Sequence, residues 1–333
     1  MSDTNPTALS QPTFDPFSGG LFDRAAADRV DKAWRHARLK DPISRFLPLF
    51  HLNPLIRNIP NNPELAWVNA TTLNHVLKED VNVVLLGRDD SRATLFAVNV
   101  DALGNHANDC DQPLSEHGIF VNAREICSCL PYGQGAIVAQ ARAVLDWHAR
   151  HPFCASCGHL TRMRHGGSSR TCTNPDCARD HFPRTDPVAI MMVVDGDYAL
   201  LGRPARLPEG VYTALAGFIE QGETIEEAVR REIFEEAGIY VGDVRYVQSQ
   251  PWPWPSNLMI GCLGRATSAD IQIDPDEIED AQWWHVDKVR QGLQNSTFVN
   301  NTEFRLPPPI AVAHHLAHHW VGLRTRNIDP FAN

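Results

Sequence analysis

Residues 217–239 read Gly217-FIEQGETIEEAVRREIFEEAG-Ile239, and every fixed position of the pattern G-x5-E-x7-R-E-U-x-E-E-x-G-U is filled, U being a bulky aliphatic residue. Thr224 followed by Glu227 forms a capping box, the first turn is acidic, and Gly238 follows the last periodic residue as a stop. The spacing predicts a helix over 224–237. On it Ile225, Ala228, Val229 and Ile233 make an apolar stripe, while Glu232 and Glu236 stand at i and i+4 on one face with Glu235 beside them. Crowded carboxylates raise one another's pKa unless a cation sits among them, and hard, oxygen-seeking Mg2+ or Mn2+ is the natural occupant. Taken alone, an E-x-x-E-E run reads more readily as a solvated acidic face than as a metal site. The glycines, Glu223 and Arg231 around it favour the metal site.

Outward from this helix, Val188–Val194 and Tyr198–Leu201 flank Asp195-Gly196 as a hairpin, and Val211–Ile219 is a strand leading into the helix. Beyond it Arg245–Ser249, Ile271–Ile273 and Ala281–Val286 read as strands, and the stretch 305–320 opens on Leu306-Pro307-Pro308-Pro309 and ends as a helix. Strands on both sides of a helix call for a mixed sheet sandwiched by helices. The His314-His315-x-x-His318-His319 run places histidines at i,i+4, but with no carboxylate or cysteine beside it a wet helix face explains it as well as a metal does.

Upstream, Cys154, Cys157, Cys172 and Cys177 give C-x2-C-x14-C-x4-C, two knuckles of a structural zinc ribbon. Four thiolates fill the coordination sphere, so this Zn2+ is expected to fold the chain and do no chemistry. Cys110, Cys127, Cys129 and Cys262 are scattered without a staple-like arrangement, which fits a reducing compartment. Residues 136–150 have helical periodicity and run into the ribbon. From 21 to 132, short apolar runs (81–86, 94–100) alternate with turn signals at Asn61-Asn62, Asp89-Asp90 and Gly104-Asn105, as expected of a strand-rich domain. Residues 1–20 read as a flexible tail.

The expected organisation is therefore a tail (1–20), an N-terminal domain ending in a helix (21–150), a zinc ribbon (151–183) and an α/β domain (184–333). With 43% hydrophobic residues in 333, real cores are affordable. A net charge of −10 and a pI near 5.8 exclude a broad basic surface for nucleic acid. No apolar run approaches a membrane span and no basic-then-apolar leader opens the chain, so we expect a cytoplasmic protein with no membrane partner.

The 217–239 pattern resembles the signature of the Nudix hydrolases, which cut pyrophosphate linkages bearing a nucleoside with divalent metals and water. Just downstream, Ser249-Gln250-Pro251-Trp252-Pro253-Trp254-Pro255-Ser256-Asn257 resembles the S-Q-P-W-P-F-P-x-S strip of the NADH pyrophosphatase branch. Prolines hold such a strip extended, presenting two indoles suited to stacking on a base; a core turn or a peptide-docking strip reads equally from the residues alone. The resemblance takes in the ribbon, the 217–239 box, the strip, an acidic D-P-x-E at Asp274–Glu277 and the L-P-P-P at 306–309. Trp254 stands where relatives have Phe, Asn257 where they have Ser, and the second zinc knuckle is C-x4-C where many have C-x2-C.

That resemblance implies a Nudix α/β/α sandwich behind a zinc ribbon and a strand-rich N-terminal domain. It implies that Glu232, Glu236 and Glu277 with the Ala216 carbonyl hold Mg2+ or Mn2+, and that Glu235 is a further ligand or the base; whether Glu235 or Glu236 deprotonates the water is left open. Glu223 and Arg231 are expected to be a structural pair. Phe182, Gln250, Pro251, Trp252, Pro253, Trp254, Pro255, Ser256, Asn257 and Ala313 are its substrate contacts, although Phe182 and Ala313 serve equally well as packing. The implied reaction is hydrolysis of NAD(H) to NMN(H) and AMP, extending to the NAD cap on RNA 5′ ends, in a homodimer. The alternatives are a broader diphosphatase acting on ADP-ribose, FAD or dinucleoside polyphosphates, and a non-catalytic NAD sensor.

Overall fold

A computed structural model describes residues 15–20, 23–73, 83–102, 114–297 and 303–332. These divide into two compact units, one comprising Pro16–Thr185 with Pro251–Ser256, the other Asp15, Asp186–Gln250 and 257–332. Residues 1–14 of the expected tail, the turn at Gly104-Asn105 and Cys110 lie outside the described residues.

In the first unit α1 (Lys32–Leu39) precedes β1 (Arg45–Phe50), β2 (Asn53–Arg57), β3 (Glu64–Leu65), β4 (Val83–Arg88), β5 (Thr94–Asn99) and β6 (Ile119–Phe120). The sheet runs β3-β2-β1-β5-β4, with β6 on β2; β1 and β5 are parallel and the other pairs antiparallel. Its core gathers Phe46, Leu55, Val68, Phe96, Val98 and Leu114, with Phe46 stacked on Phe96. Then come α2 (Ala123–Ile126), α3 (Gln134–Arg150) and a three-stranded antiparallel ribbon of β7 (Thr161–Arg164), β8 (Ser169–Cys172) and β9 (Asp180–His181). Residues 15–20 depart from the expected flexible tail, because Phe17 is only 2% exposed.

The second unit holds β10 (Asp186–Asp195), β11 (Tyr198–Arg203), β12 (Leu215–Phe218), α4 (Ile225–Ala237), β13 (Val241–Trp252), β14 (Asn257–Ala266), β15 (Asp280–His285), α5 (Val286–Gln294) and α6 (Val312–Thr325). Strand order is β13-β14-β10-β11-β15 with β12 on β10; β10 and β14 are parallel, while β11 and β12 run antiparallel to β10. β10 is apolar from Val188 to Val194 because that stretch is buried on both faces. Ile190, Met192 and Val194 enter a core with Leu316, Ala317 and Trp320 of α6, whereas Ala189, Met191 and Val193 enter one with Ala228, Val229 and Ile233 of α4. The period-2 alternation of one strand thus builds an α/β/α sandwich. Gly196, at φ +54°, opens the two-residue β10–β11 turn where Asp195 pairs with Tyr198.

Two expectations are corrected. Residues 271–273 form no strand; Gln272 N–H donates to the Ala237 carbonyl at 2.9 Å, so the segment closes the end of α4. His314 and His315 are not on a wet face, being 6% and 2% exposed, because the N-terminal half of α6 is packed into the core.

Candidate active site

The acidic helix starts where its capping box lies. Glu227 N–H donates to Thr224 Oγ1 at 3.2 Å and Thr224 N–H to Glu227 Oε2 at 2.8 Å; Gly238, left-handed at φ +67°, ends it with a bond to the Phe234 carbonyl. Burial of Ala228, Val229, Ile233 and Ala237 against β10 leaves the glutamate face turned away from that core.

Arg231 organises that face. Its guanidinium donates to Glu223 Oε1 (2.6 Å) and Oε2 (2.9 Å), Glu232 Oε1 (2.8 Å), Glu235 Oε2 (2.9 Å) and the Phe218 carbonyl (3.0 Å). Glu223 also accepts from Glu220 N–H at 2.9 Å, so one fork ties the 218–223 loop to the helix. The Arg231 bonds hold the Glu223 carboxyl down to about 2. Glu223 and Arg231 are thus joined by two hydrogen bonds.

Glu232 and Glu236 behave oppositely. Burial, then repulsion from Glu232 and Glu277, pushes Glu236 up to about 8, while nearby Arg206 pulls the other way. Glu232 is likewise raised by burial, against the pull of Arg231. Glu277 reaches this group because Asp274 N–H donates to the Glu236 carbonyl at 3.3 Å and Glu277 N–H to the Asp274 carbonyl at 3.1 Å. The acidic turn is thereby tethered to the helix.

Gly217 fixes the other wall. A Cβ built there would lie 1.8 Å from Cδ of Glu232 and about as close to both its oxygens, so the carboxylate rests directly on the β12 backbone, one residue from Ala216. Two carboxylates raised by burial and crowding, beside a bare strand backbone, are hard oxygen donors of the kind a divalent cation takes.

In the first unit the four ribbon cysteines are all unbridged, with their sulfurs within 4.8 Å of one another; Cys154 and Cys177 lie 3.8 Å apart and Cys157 and Cys172 3.4 Å. Four ligands at about 2.3 Å in a tetrahedron stand about 3.8 Å apart, so the cluster fits a closed zinc site. The wider C-x4-C knuckle is accommodated by a turn in which Cys177 N–H and Ala178 N–H both donate to the Asn174 carbonyl.

A profile described as the NUDIX domain matches residues 183–301, and one described as the NADH pyrophosphatase-like rudimentary NUDIX domain matches residues 44–147. The chain is 37% identical to the NAD-capped RNA hydrolase NUDT12 of Homo sapiens, over 92% of this chain and 73% of that protein. The chain belongs to the NADH pyrophosphatase family of Nudix hydrolases. The NAD-capped RNA hydrolase of Schizosaccharomyces pombe is 31% identical over 93% of each chain. The mitochondrial NAD(P)H pyrophosphatase NUDT13 of Homo sapiens is 35% identical over 73% of this chain and 72% of that one.

The strip that set this Nudix chain apart in sequence is split between the two units. Gln250 belongs to the sandwich and is fully buried: its Nε2 donates to Asp15 (2.8 Å) and to the Ile310 carbonyl (3.0 Å), and its Oε1 accepts from Val312 N–H (2.9 Å). Expected as a substrate contact, it instead anchors the start of α6, because its carboxamide is already spent. Ala313 is also buried, in the α6 core. Trp252 and Trp254 belong to the first unit, where their rings meet edge-on with Phe17 at 6.0 and 5.6 Å. Arg124 lies over both indoles at 5.3 and 4.9 Å and Arg142 over Trp254 at 5.2 Å, with Arg142 Nε donating to the Pro253 carbonyl. Pro253 is buried, Pro251 and Pro255 are exposed, Ser256 and Asn257 are half-buried, and Phe182 is 65% exposed. Sequence reading missed Phe17, Arg124 and Arg142, since nothing local links residues so far apart in the chain.

Proposed function

We propose that this chain hydrolyses the central pyrophosphate of NAD(H), giving NMN(H) and AMP, and that the same site removes the NAD cap from RNA 5′ ends. The observation that carries this reading is Glu232 resting on Gly217 beside Glu236, whose carboxyl is raised by burial and by Glu232 and Glu277, within an intact Nudix box. The names of the relatives, NAD-capped RNA hydrolase and NAD(P)H pyrophosphatase, support the choice of substrate.

In this reading Glu232, Glu236, Glu277 and the Ala216 carbonyl hold Mg2+ or Mn2+. Bound there, the ion supplies Lewis acidity to the phosphate oxygens. Glu235, half exposed and oriented by Arg231, accepts the proton of the attacking water. Glu223 and Arg231 keep the loop and helix in register. Phe182, Trp252, Trp254 and the flanking Pro251, Pro255, Ser256 and Asn257 remain the proposed substrate contacts; the arginines over the indoles suit the strip to anionic ligands.

Zinc at the four cysteines, a homodimer and a reducing, cytoplasmic setting complete the proposal. Free thiols support that setting, and the exposed pair Phe153 and Leu160, bridged to each other, offers apolar surface to a second subunit. Among the described residues no helix is long and apolar enough to cross a membrane.

The test is chromatography of products after incubating wild type and Glu236→Gln with NADH and Mn2+. Equal NMNH and AMP from wild type, lost in the variant, is the expected result. Cleavage of ADP-ribose but not NADH would overturn the substrate, and silence on every diphosphate would overturn the enzyme.

A further inference from the structure

The rudimentary domain carries a cavity of about 720 Å3, lined by Ser44, Arg45, Arg57, Trp67, Asn69 and Ser91 among others. That volume lies within the range of about 300–1,000 Å3 typical of small-molecule sites. Its position follows from the strand pairing. Phe46 and Val68 exchange main-chain hydrogen bonds of 2.9 Å in each direction and turn their side chains into the core, so alternation leaves Arg45, Trp67 and Asn69 on the other side.

The lining chemistry is selective. Two guanidiniums and no carboxylate line the cavity, although the chain as a whole is acidic. Arg45 and Arg57 keep side chains about half exposed (51% and 50%) while resting on Asp89 (3.4 Å) and Glu64 (3.0 Å), neither of which lines it. Trp67 is half-buried and supplies an aromatic wall. Ser44 is 2% exposed, and its hydroxyl has no hydrogen-bond partner within the protein.

We propose that this cavity, in the rudimentary domain, is a second nucleotide site that binds without cutting. Trp67 stacks on the base, Arg45 and Arg57 hold the phosphate, and the exposed Asn69 carboxamide bonds the ribose or base edge. No run of glutamates like that of α4 occurs in residues 44–147, so the site lacks the means to hydrolyse what it holds. The shared chemistry is a nucleoside 5′-monophosphate, whether free or as a unit of an RNA strand.

The test uses full-length Glu236→Gln protein, the probe 8-azidoadenosine 5′-monophosphate, irradiation, and mass spectrometry of the labelled peptides. We expect label on the peptide carrying Trp67. In Arg45→Gln/Arg57→Gln that label should fall by about tenfold or more, as two charge-assisted contacts are removed, while wild-type-background NADH hydrolysis and the melting temperature are retained. Protection by AMP alone would identify free nucleotide as the occupant; protection by 5′-phosphorylated RNA at lower concentration would identify the strand. Label confined to residues outside this cavity, or unchanged in the double variant, overturns the proposal. Because the readout is labelling at Trp67, its failure leaves the catalytic reading untouched.

Discussion

Replacing Gly217 by alanine should disable the enzyme without unfolding it. The added Cβ would sit 1.8 Å from Cδ of Glu232, and restoring an ordinary 3.4 Å contact requires the carboxylate to retreat by about 1.6 Å. Glu232 is the free end of a flexible side chain, so it moves in preference to the strand. A 1 Å misplacement in a catalytic constellation costs about 10^2-fold, which puts the loss in kcat/KM for NADH at about 10^2-fold or more, or at least about 2.7 kcal/mol. Stability should hardly change. Alanine stiffens the unfolded chain by about 0.4–1 kcal/mol, offsetting the loss of the 2.8 Å bond between Arg231 and Glu232, worth about 1 kcal/mol. A matched control is Gly222→Ala, where φ is +94° and nothing lies within 4 Å of the new methyl. There the left-handed strain should cost about 1–2 kcal/mol of stability while activity persists. AMP release read against thermal melts of both variants decides the matter. Activity of Gly217→Ala within about threefold of wild type, at unchanged melting temperature, would refute the role assigned to Glu232.

Three further perturbations follow from other contacts. His148 Nε2 lies 2.8 Å from the Gly167 carbonyl and Nδ1 3.0 Å from Arg170 Nη1, an arrangement that only the neutral ring satisfies, and burial lowers its pKa to about 4. The unfolded chain therefore binds the proton first, so this contribution to stability is lost as pH falls from about 6.5 to about 4, at up to about 1.4 kcal/mol per pH unit; an NMR titration of the ring with a midpoint near 6.5 would contradict it. Stripping metal from the ribbon should release one zinc per chain and leave the β7–β9 segment exchanging its amides freely, as hydrogen exchange will report, since a three-stranded sheet that small depends on its ion. Arg231→Lys cannot reproduce the fork to Glu223 and should cost about 1–3 kcal/mol with a fall in kcat, measured by melts and product assay; a variant of wild-type stability would show that the loop is held some other way.

The helix 225–237, its caps, the hairpin at Gly196 and the paired zinc knuckles were legible in the chain, because each depends on partners a few residues away. The glutamates could be assigned to one face by the same periodicity. Ile271–Ile273 misled because an apolar pair at spacing two looks alike whether it pairs with a strand or caps a helix. The histidines of α6 misled because polarity alone does not say which face the core will cover.

By itself, then, the sequence determined the family, the acidic helix and the metal-ligand spacings. Only the tertiary structure decided that Glu232 rests on Gly217, that Asp274 tethers Glu277 to the end of α4, and that Gln250 is spent inside the sandwich. It also decided that the two indoles of the strip pack with Phe17, Arg124 and Arg142, and that Arg45, Arg57 and Trp67 surround one cavity. Spacing encodes contacts made within a helical turn or across a hairpin, whereas contacts between residues a hundred or more positions apart exist only once the chain is packed, and no local period records them.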